Sequence, residues 1–338
     1  MSTPPAKTTT PNVAAIAQFL RGASNVTTVS VNALTLLSGG AIQQNWQLDV
    51  DISGGAHHGC HAWVLRTDAP ATVAASLPRA REFAIIRFAH EHSLRAPKPL
   101  FLCEDEAVIG QPFFIMEKLP GVAAGHKVVR LNLDRPALAR ELAQAAARIH
   151  AIRPPLRELP FLKTYLARDV IAACRAYLDT LDEPHPVLEW GLRWCERRVP
   201  AQEETTFVHR DFRTGNYLVH DGKLAGLLDW EFAALGNPLE DIGWICAKCW
   251  CFRHEHHIVG GVADLDDFIP AYEAASGRAV PRDALRYWQV MAHIRWAIIA
   301  LQQARRHLSG VEPSLELALT GKIVAELEWE VLVLTDAP

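Results

Sequence analysis

The order of strand and helix patterns along the chain constrains its fold more than any other feature. Up to about Leu119, short apolar runs alternate with Gly-rich or acidic turns, a pattern typical of strands, and one helical stretch covers residues 81–92. Beyond Gly121 the apolar spacing is that of helices. These helices are predicted over residues 136–152, 165–181, 187–198, 265–275, 282–308 and 315–333. The sequence therefore predicts an α+β fold in which a small antiparallel sheet lobe with one helix precedes a larger, mainly helical lobe.

We divide the chain accordingly into three segments. Residues 1–30 form a polar tail rich in Pro and Thr, followed by a helix. Residues 31–119 form the sheet lobe, and residues 120–338 form the helical lobe. A chain of 338 residues that is 49% hydrophobic can bury a substantial core in each lobe.

Charge and composition exclude several classes of partner. The net charge of -4 provides no broad basic face, so we expect no nucleic-acid partner. We expect no membrane partner either, because no segment approaches the ~18 uninterrupted apolar residues of a spanning helix. The first residues lack the apolar core of a signal peptide, which predicts a cytoplasmic protein. Seven cysteines without an export signal are typical of reduced thiols.

A strong hairpin signal lies in the single β island of the helical lobe, TTFVHRDFRTGNYLVHDGKLAGLLDWE. The two-residue turn Asp221-Gly222 separates two apolar-rich strands and fixes their register. Pairing across this turn places Asn216 opposite Leu227. Because side chains alternate with period two, Asp229 falls on the same face as Asn216, about 7 Å further along the strand. The hairpin therefore predicts that Asn216 and Asp229 can reach one ion.

The string HRDFRTGN within this island fits the H-R-D-x-x-x-x-N catalytic loop of phosphoryl-transfer enzymes. In such a loop the carboxylate of Asp211 can orient an incoming hydroxyl group and take its proton. The amide oxygen of Asn216 and the carboxylate of Asp229 are hard ligands that suit Mg²⁺. We include the neighbours His209 and Arg213 among the candidate catalytic residues. The alternative is a surface loop in which Asp and Asn only cap the backbone.

Two segments together resemble the aminoglycoside phosphotransferase-like family of small-molecule kinases: VHRDFRTGN, and then GLLDWEFAALGNPLEDIGW. The resemblance covers roughly residues 36–250 and is closest to the subgroup associated with acyl-CoA dehydrogenases. It implies a two-lobed protein-kinase-like fold, with the nucleotide in the sheet lobe and the substrate in the helical lobe. It also implies ATP and Mg²⁺ as cofactors and a small hydroxylated molecule as substrate.

The same resemblance implies roles for individual residues. Asp211 is the catalytic base, Asn216 and Asp229 hold Mg²⁺, and Asp241 braces the catalytic loop by accepting backbone hydrogen bonds. Arg210 departs from the family pattern, which usually has Gly between the His and the Asp. This departure puts the local packing of the loop in question more than its chemistry.

A phosphate-covering loop between two strands is also implied. Ser38, Gly39 and Gly40 lie at the right place, because glycine amides can approach phosphate oxygens closely. On their own, two adjacent glycines are more typical of a plain hairpin turn. The adenine is expected at the linker, with Met116 behind it and backbone groups offered by Glu117 to Leu119, although an ordinary buried strand explains that segment equally well.

Kinases pair a strand Lys, which binds the α/β-phosphates, with a helix Glu. No Lys lies between Gly40 and Glu82, so we identify Arg66 and Glu82 as the candidate pair. Arg66 ends the apolar strand HAWVLR, and its guanidinium can bind phosphate through two hydrogen bonds. The alternative is a surface Arg and a Glu favoured at the start of a helix.

Two segments are rich in metal-ligating side chains. One holds Cys246, Cys249 and Cys251 ahead of three histidines, and the other holds Cys60 among three histidines. We interpret the first cysteines as core residues of a helix beginning at Cys246, and the second segment as a hairpin tip with solvated histidines. A structural zinc in the first segment stays an alternative, although the spacing lacks a clean second pair.

The sequence as a whole predicts an ATP- and Mg²⁺-dependent phosphotransferase acting on a hydroxyl group of a small molecule. A catalytically inactive nucleotide-binding module and a zinc-dependent hydrolase are alternatives from other classes. A protein kinase fits less well, because only twelve positions (241 minus 229) separate Asp229 from Asp241 and leave no activation segment. Arginines outnumber acids along residues 282–308, which favours a neutral or acidic acceptor over a polycationic aminoglycoside. The subgroup resemblance implies hydroxyacyl or other hydroxylated metabolites.

Overall fold

A computed structural model describes residues 10–37, 43–68, 77–200, 204–310 and 312–336. The described chain divides into two compact units at the bond between Leu119 and Pro120. Strands dominate the first unit and helices the second. The α+β class predicted from the sequence is therefore confirmed.

The first unit contains a five-stranded antiparallel sheet and two helices. Its elements are α1 (Val13–Ser24), β1 (Thr28–Leu36), β2 (Gln43–Ser53), β3 (Gly59–Asp68), α2 (Arg79–Glu91), β4 (Pro99–Cys103) and β5 (Phe113–Glu117). The strand order is β1-β2-β3-β5-β4, and every neighbouring pair is antiparallel. Alternate residues of β2, Leu48, Val50 and Ile52, are buried against Ile16 and Leu20 of α1. The helix α1 therefore packs on the sheet.

The second unit is mainly helical. Its helices are α3 (Gly125–Val128), α4 (Arg135–His150), α5 (Ala167–Leu178), α6 (Pro186–Glu196), α7 (Pro238–Ile245), α8 (Leu265–Ser276), α9 (Arg282–Leu308), α10 (Leu315–Lys322) and α11 (Val324–Asp336). The predicted helix over residues 282–308 has the observed bounds of α9, whereas the last predicted helix is two helices that meet at Ile323. Across the described ranges, none of these helices is long and apolar enough to cross a membrane.

Local capping signals explain where two of these helices begin. The side chain of Asp134 accepts a hydrogen bond from the N–H of Ala137 at 3.0 Å and starts α4. The side chain of Asn237 accepts one from the N–H of Leu239 at 2.9 Å and starts α7, whose first residue is Pro238. The first turn of α7 contacts the loop of residues 209–216 that follows β7.

Five short strands complete the second unit. They are β6 (Thr164–Tyr165), β7 (Thr206–Val208), β8 (Tyr217–His220), β9 (Lys223–Leu227) and β10 (Ala234–Gly236). The predicted hairpin is β8-β9. The other three strands form a separate sheet in the order β6-β10-β7. The expectation of one isolated hairpin was therefore incomplete, because strands of two or three residues are too short for an alternating pattern to reveal them.

The hairpin register differs from the prediction by one residue. His220 pairs with Lys223 as predicted, but a β-bulge at Ala225 shifts the remaining pairs. The carbonyl of Asn216 accepts the N–H of Leu228 at 2.8 Å, so the predicted pairing of Asn216 with Leu227 was wrong. The turn dipeptide fixes the first pair of a hairpin only, and the bulge resets the register beyond it.

Candidate active site

The candidate catalytic loop, residues 209–216, follows β7 and is held by the first turn of α7. Asp241 accepts hydrogen bonds from the backbone N–H groups of His209 and Arg210, each at 2.7 Å. Nε2 of His150 lies 3.1 Å from the same carboxylate. Burial alone would raise the pKa of Asp241, but the contacts with His150 and His209 together outweigh it and hold the pKa below its ordinary value. The predicted bracing of the loop by Asp241 is confirmed.

His209 connects the loop to the segment that precedes Asp229. Its Nδ1 accepts the N–H of Asp211 at 3.3 Å, and its Nε2–H donates to the carbonyl of Leu228 at 2.9 Å. Burial lowers the pKa of His209 despite the neighbouring charges of Asp241, Asp211 and Asp229. The ring is therefore a neutral imidazole with both nitrogens engaged inside the protein.

Asp211 has hydrogen-bond donors on both carboxylate oxygens. Oδ1 accepts from the indole Nε1 of Trp244 at 2.8 Å and from Nε of Arg213 at 2.9 Å. Oδ2 accepts from the side-chain amide of Asn216. The residue is 8% exposed, so these donors orient a carboxylate that still reaches the surface. Sequence reasoning missed Trp244, although it follows the Asp241 position by three residues on the same helix.

Arg213 folds back over its own loop. Its guanidinium lies 4.3 Å from the ring centroid of Trp250, and its Nη1 donates to the carbonyl of Thr214 at 3.2 Å. Gly215 has φ of 111°, and a Cβ there would lie 2.7 Å from Nη1 of Arg213. The glycine of the motif therefore makes room for a cation beside Asp211.

Asn216 and Asp229 offer oxygen atoms of the kind that Mg²⁺ prefers. The amide nitrogen of Asn216 donates to Asp211, which leaves the carbonyl oxygen of the side chain as the candidate ligand. Leu228 bonds both Asn216 and His209 through its backbone, so the residue before Asp229 is tied to both ends of the loop. Asp229 itself has φ of 57°, so it lies beyond the strand and strand alternation does not apply to it. Two protein oxygens fit Mg²⁺, which takes its other ligands from phosphates and water.

Arg210 belongs to an ionic cluster that sequence reasoning missed. It has φ of 63°, its Nε lies 3.0 Å from Glu240, and its guanidinium lies 3.9 Å from the ring centroid of Tyr165. Glu240 is 3% exposed and also binds Arg295 of α9. Two arginines, one of them in the candidate catalytic loop, thus share one buried carboxylate.

In the first unit, the structure brings the candidate pair together. Nε of Arg66 lies 2.8 Å from Glu82, and both side chains are buried. Arg66 also lies 3.4 Å from the side-chain oxygen of Asn45. Arg79, which was not predicted, binds the other oxygen of Glu82 and lies 3.0 Å from Asp68. Glu82 is therefore shared between two arginines rather than held by one.

The remaining nucleotide candidates lie at the end of β5 or outside the described residues. Met116 is buried, and the N–H of Glu117 donates to the carbonyl of Lys98 at 2.9 Å. Leu119 follows the strand and is half-buried. The predicted loop residues Ser38, Gly39 and Gly40 fall outside the described ranges.

The cysteine and histidine segments show no metal geometry. Cys246 follows α7 instead of beginning a helix, because that helix ends at Ile245. Burial raises the pKa of Cys246 and of Cys249, and raises that of Cys251 to about 12, so these thiols keep their protons at neutral pH. Within the described ranges, no three His, Cys, Asp or Glu side chains are placed to hold a metal ion.

The sequence matches one family model along most of its length. Residues 33–288 match the model described as "Phosphotransferase enzyme family". The mouse protein named acyl-CoA dehydrogenase family member 10 is 29% identical over 271 residues, which is 74% of this chain and 25% of that protein. The chain therefore spans about a quarter of that curated relative.

Solved structures share the fold at low sequence identity. Spectinomycin phosphotransferase APH(9)-Ia, in complex with ADP and spectinomycin, has a TM-score of 0.67 at 12% identity and covers 96% of this chain and 99% of that chain. A thermostable mutant of aminoglycoside phosphotransferase APH(4)-Ia, in a ternary complex with AMP-PNP and hygromycin B, has a TM-score of 0.63 at 16% identity and covers 95% and 98%. These likenesses confirm the predicted protein-kinase-like fold.

Proposed function

Because the chain belongs to the phosphotransferase enzyme family, we propose that it transfers the γ-phosphate of ATP to a hydroxyl group of a small molecule, with Mg²⁺ as the required ion. One observation supports this proposal most. The carboxylate of Asp211 is oriented by donors on both of its oxygens, and one of these donors is the side chain of Asn216. The proposed general base and a proposed metal ligand are thus in direct contact.

In the proposed reaction, the acceptor oxygen bonds to the γ-phosphorus while the bond from phosphorus to ADP breaks. Asp211 takes the proton that the acceptor hydroxyl group loses. Arg213 places a positive charge beside this carboxylate, where it can offset negative charge on the transferred group. His209 positions the loop through its two ring contacts. Asn216 and Asp229 would hold Mg²⁺, which when bound offsets the charge of the phosphates.

Arg66 is the proposed ligand of the α/β-phosphates in the first unit. Glu82 and Asn45 fix its guanidinium, as the Lys–Glu pair of kinases fixes an ammonium group. The bound AMP-PNP and ADP of the structural neighbours support nucleotide use. The other proposed nucleotide contacts are Ser38, Gly39, Gly40, Met116, Glu117 and Leu119.

The proposed acceptor is a neutral or acidic hydroxylated metabolite rather than a polycation. The helix α9 carries more arginines than acids. The positive charges of Arg213, which contacts Asp211, and of Arg295, which contacts Glu240, would also repel a polyamine near Asp211. The relative's name, acyl-CoA dehydrogenase family member 10, favours hydroxyacyl compounds among these acceptors.

A phosphate-transfer screen tests the proposed function. Radiolabelled γ-phosphate of ATP would be followed into hydroxyacyl thioesters, amino alcohols and aminoglycosides, with and without Mg²⁺. We expect labelled product from at least one neutral or acidic acceptor, and only with Mg²⁺. Bound ATP without transfer to any hydroxyl compound would instead support an inactive nucleotide-binding module.

Two variants separate the proposed roles within the site. Asp211→Asn keeps the side-chain volume but removes the base, so we expect kcat to fall by about 10² or more with ATP affinity nearly unchanged. Asp229→Ala removes a metal ligand, so we expect weaker binding of Mg·ATP. Steady-state kinetics and nucleotide titration would measure both effects. Equal activity of the parent and both variants would exclude these roles.

A further inference from the structure

The short helix α7 contacts the catalytic loop through three residues. Asp241 accepts the two backbone N–H groups at the start of the loop, and Glu240 lies 3.0 Å from the guanidinium of Arg210. Trp244 then donates its indole N–H to the carboxylate of Asp211 at 2.8 Å. Positions 240, 241 and 244 share one face of a helix, because spacings of three and four return to the same side. One face of one helix therefore holds both the backbone and the carboxylate of the loop.

The indole of Trp244 is itself held firmly. The residue is 2% exposed, and the guanidinium of Arg295 lies 4.6 Å from its ring centroid. Gly243 brings the two helices together, since a Cβ there would lie 2.4 Å from Cβ of Trp288 on α9. Arg295 also binds Glu240. The helix α9 thus fixes the ring that in turn fixes Asp211.

The two donors to Oδ1 of Asp211 differ in rigidity. Arg213 belongs to the loop, and its side chain is 22% exposed. Trp244 belongs to a buried helix and brings a neutral N–H group that adds no charge near the base. A carboxylate turns readily about its last torsion angle, so a fixed donor on one oxygen determines where the other oxygen points.

We propose that Trp244 is a positioning residue of the phosphotransfer reaction. Its indole N–H holds Oδ1 of Asp211, which leaves a lone pair of Oδ2 to take the proton of the acceptor. This inference rests on the proposed function, because it gives a role to the residue that orients the proposed base. Trp244 acts through Asp211 and lies in the second unit, so its effect belongs in kcat and not in the KM for ATP.

The experiment compares two tryptophan variants in the full chain. Trp244→Phe removes the N–H group, and we expect kcat to fall by about 10- to 100-fold, the loss of one hydrogen bond to a charged group, with the KM for ATP within about two-fold. Trp288→Phe removes similar ring volume from a buried position of α9 whose Cβ faces Gly243 of α7, and we expect kcat to change less than about three-fold. Two rates are measured: transfer of the γ-phosphate to the best acceptor of the screen, and transfer to water, which is the hydrolysis of Mg·ATP.

An isosteric replacement keeps the test decisive if Trp244→Phe fails to fold. Incorporation of 3-benzothienylalanine at position 244 preserves the ring and replaces the N–H group by sulfur, so the same loss of kcat is expected. An unchanged kcat in this protein, or an equal loss in Trp288→Phe, would overturn the positioning role. A parent protein that turns over no Mg·ATP in either assay would instead overturn the proposed function, and this inference with it.

Discussion

Arg210 occupies a backbone conformation that normally favours glycine. Its φ is 63°, where a residue with a Cβ costs about 1–2 kcal/mol. The side chain offsets this cost through the ion pair with Glu240 at 3.0 Å and the contact with the ring of Tyr165 at 3.9 Å. These contacts of the side chain therefore compensate for the backbone conformation, and the carboxylate of Asp211 next to it keeps its own contacts.

Two substitutions at this position separate backbone strain from side-chain contacts. Arg210→Gly and Arg210→Ala both remove the guanidinium, but only Ala keeps a Cβ in the left-handed conformation. We expect the Gly variant to have the higher free energy of unfolding, by about 0.5–1 kcal/mol. Urea unfolding of both variants gives the difference, and an Ala variant of equal or greater stability would show that the position carries no strain.

At the residue scale, the sequence was sufficient to identify a candidate site residue where few residues of the required charge were present. Arg66 was identified because no Lys lies between Gly40 and Glu82, and the structure pairs it with Glu82. Arg79 and Trp244 were missed, because what turns each of them inward is a tertiary contact rather than a motif. The spacing of Trp244 from Asp241 was an available signal, since both lie on one helical face.

The helix α2 presents a buried ionic network to the sheet. Glu82 binds Arg66 of β3 and Arg79 of its own first turn, and all three side chains are buried. Removing one partner of such a network leaves uncompensated charge in a dry environment, which costs about 3–5 kcal/mol. Glu82 is the carboxylate that both arginines share.

We therefore expect Glu82→Gln to lower the free energy of unfolding by about 3 kcal/mol. Glu91→Gln on the same helix changes the same functional group at an exposed position, and we expect a change within about 0.5 kcal/mol. Denaturant unfolding of the two variants and the parent measures both values. Similar effects of the two substitutions would mean that the network is not what stabilises α2 on the sheet.

At the element scale, the hairpin shows both the reach and the limit of sequence reasoning. The turn at Asp221-Gly222 and the first pair were predicted correctly, because two-residue turns have strict sequence preferences. The bulge at Ala225 was not predicted, because a one-residue insertion into a strand leaves no periodic signal. Strand alternation does not align Asn216 with Asp229 either, because Asp229 lies beyond the end of β9 with φ of 57°. What connects the two residues is the backbone of Leu228 between them.

Buried histidines make the stability of the whole molecule depend on pH. Burial lowers the pKa of both His209 and His293 from the ordinary value of 6.5. In the unfolded chain these groups have ordinary pKa values, so below pH 6.5 the unfolded state binds protons that the folded state does not. The contribution of these two neutral histidines to the free energy of unfolding is therefore fully present above pH 6.5. It is lost as the pH falls toward their pKa values in the folded protein. Asp241, whose folded pKa is also lowered, loses its contribution only in the more acidic range of carboxylates.

Acidification from pH 7.5 to 5.5 should therefore lower the free energy of unfolding, with a slope of at most about 1.4 kcal/mol per pH unit for each histidine. His293→Gln should reduce this slope, whatever the substitution does to the free energy of unfolding at pH 7.5. His256→Gln, at an exposed position, should leave the slope unchanged. Urea unfolding at a series of pH values measures the slopes, and identical slopes in all three proteins would exclude His293 as a source.

At the scale of the molecule, the order of strand and helix patterns was enough to predict an α+β protein with a sheet lobe before a helical lobe. The kinase-like fold was implied by the resemblance to a known family and not by these patterns. The long helix α9 was predicted with its observed bounds, because its apolar residues recur over 27 residues. The break at Ile323 was not predicted, since no Pro marks it and the helix pattern continues on both sides.

The most direct test of the central claim is a crystal structure with Mn²⁺ and AMP-PNP in which anomalous scattering locates the metal. We expect the metal to be coordinated by the side-chain oxygen of Asn216 and the carboxylate of Asp229, with Asp211 nearby but outside the coordination shell. A metal bound elsewhere, or coordinated by neither Asn216 nor Asp229, would contradict the proposed active site.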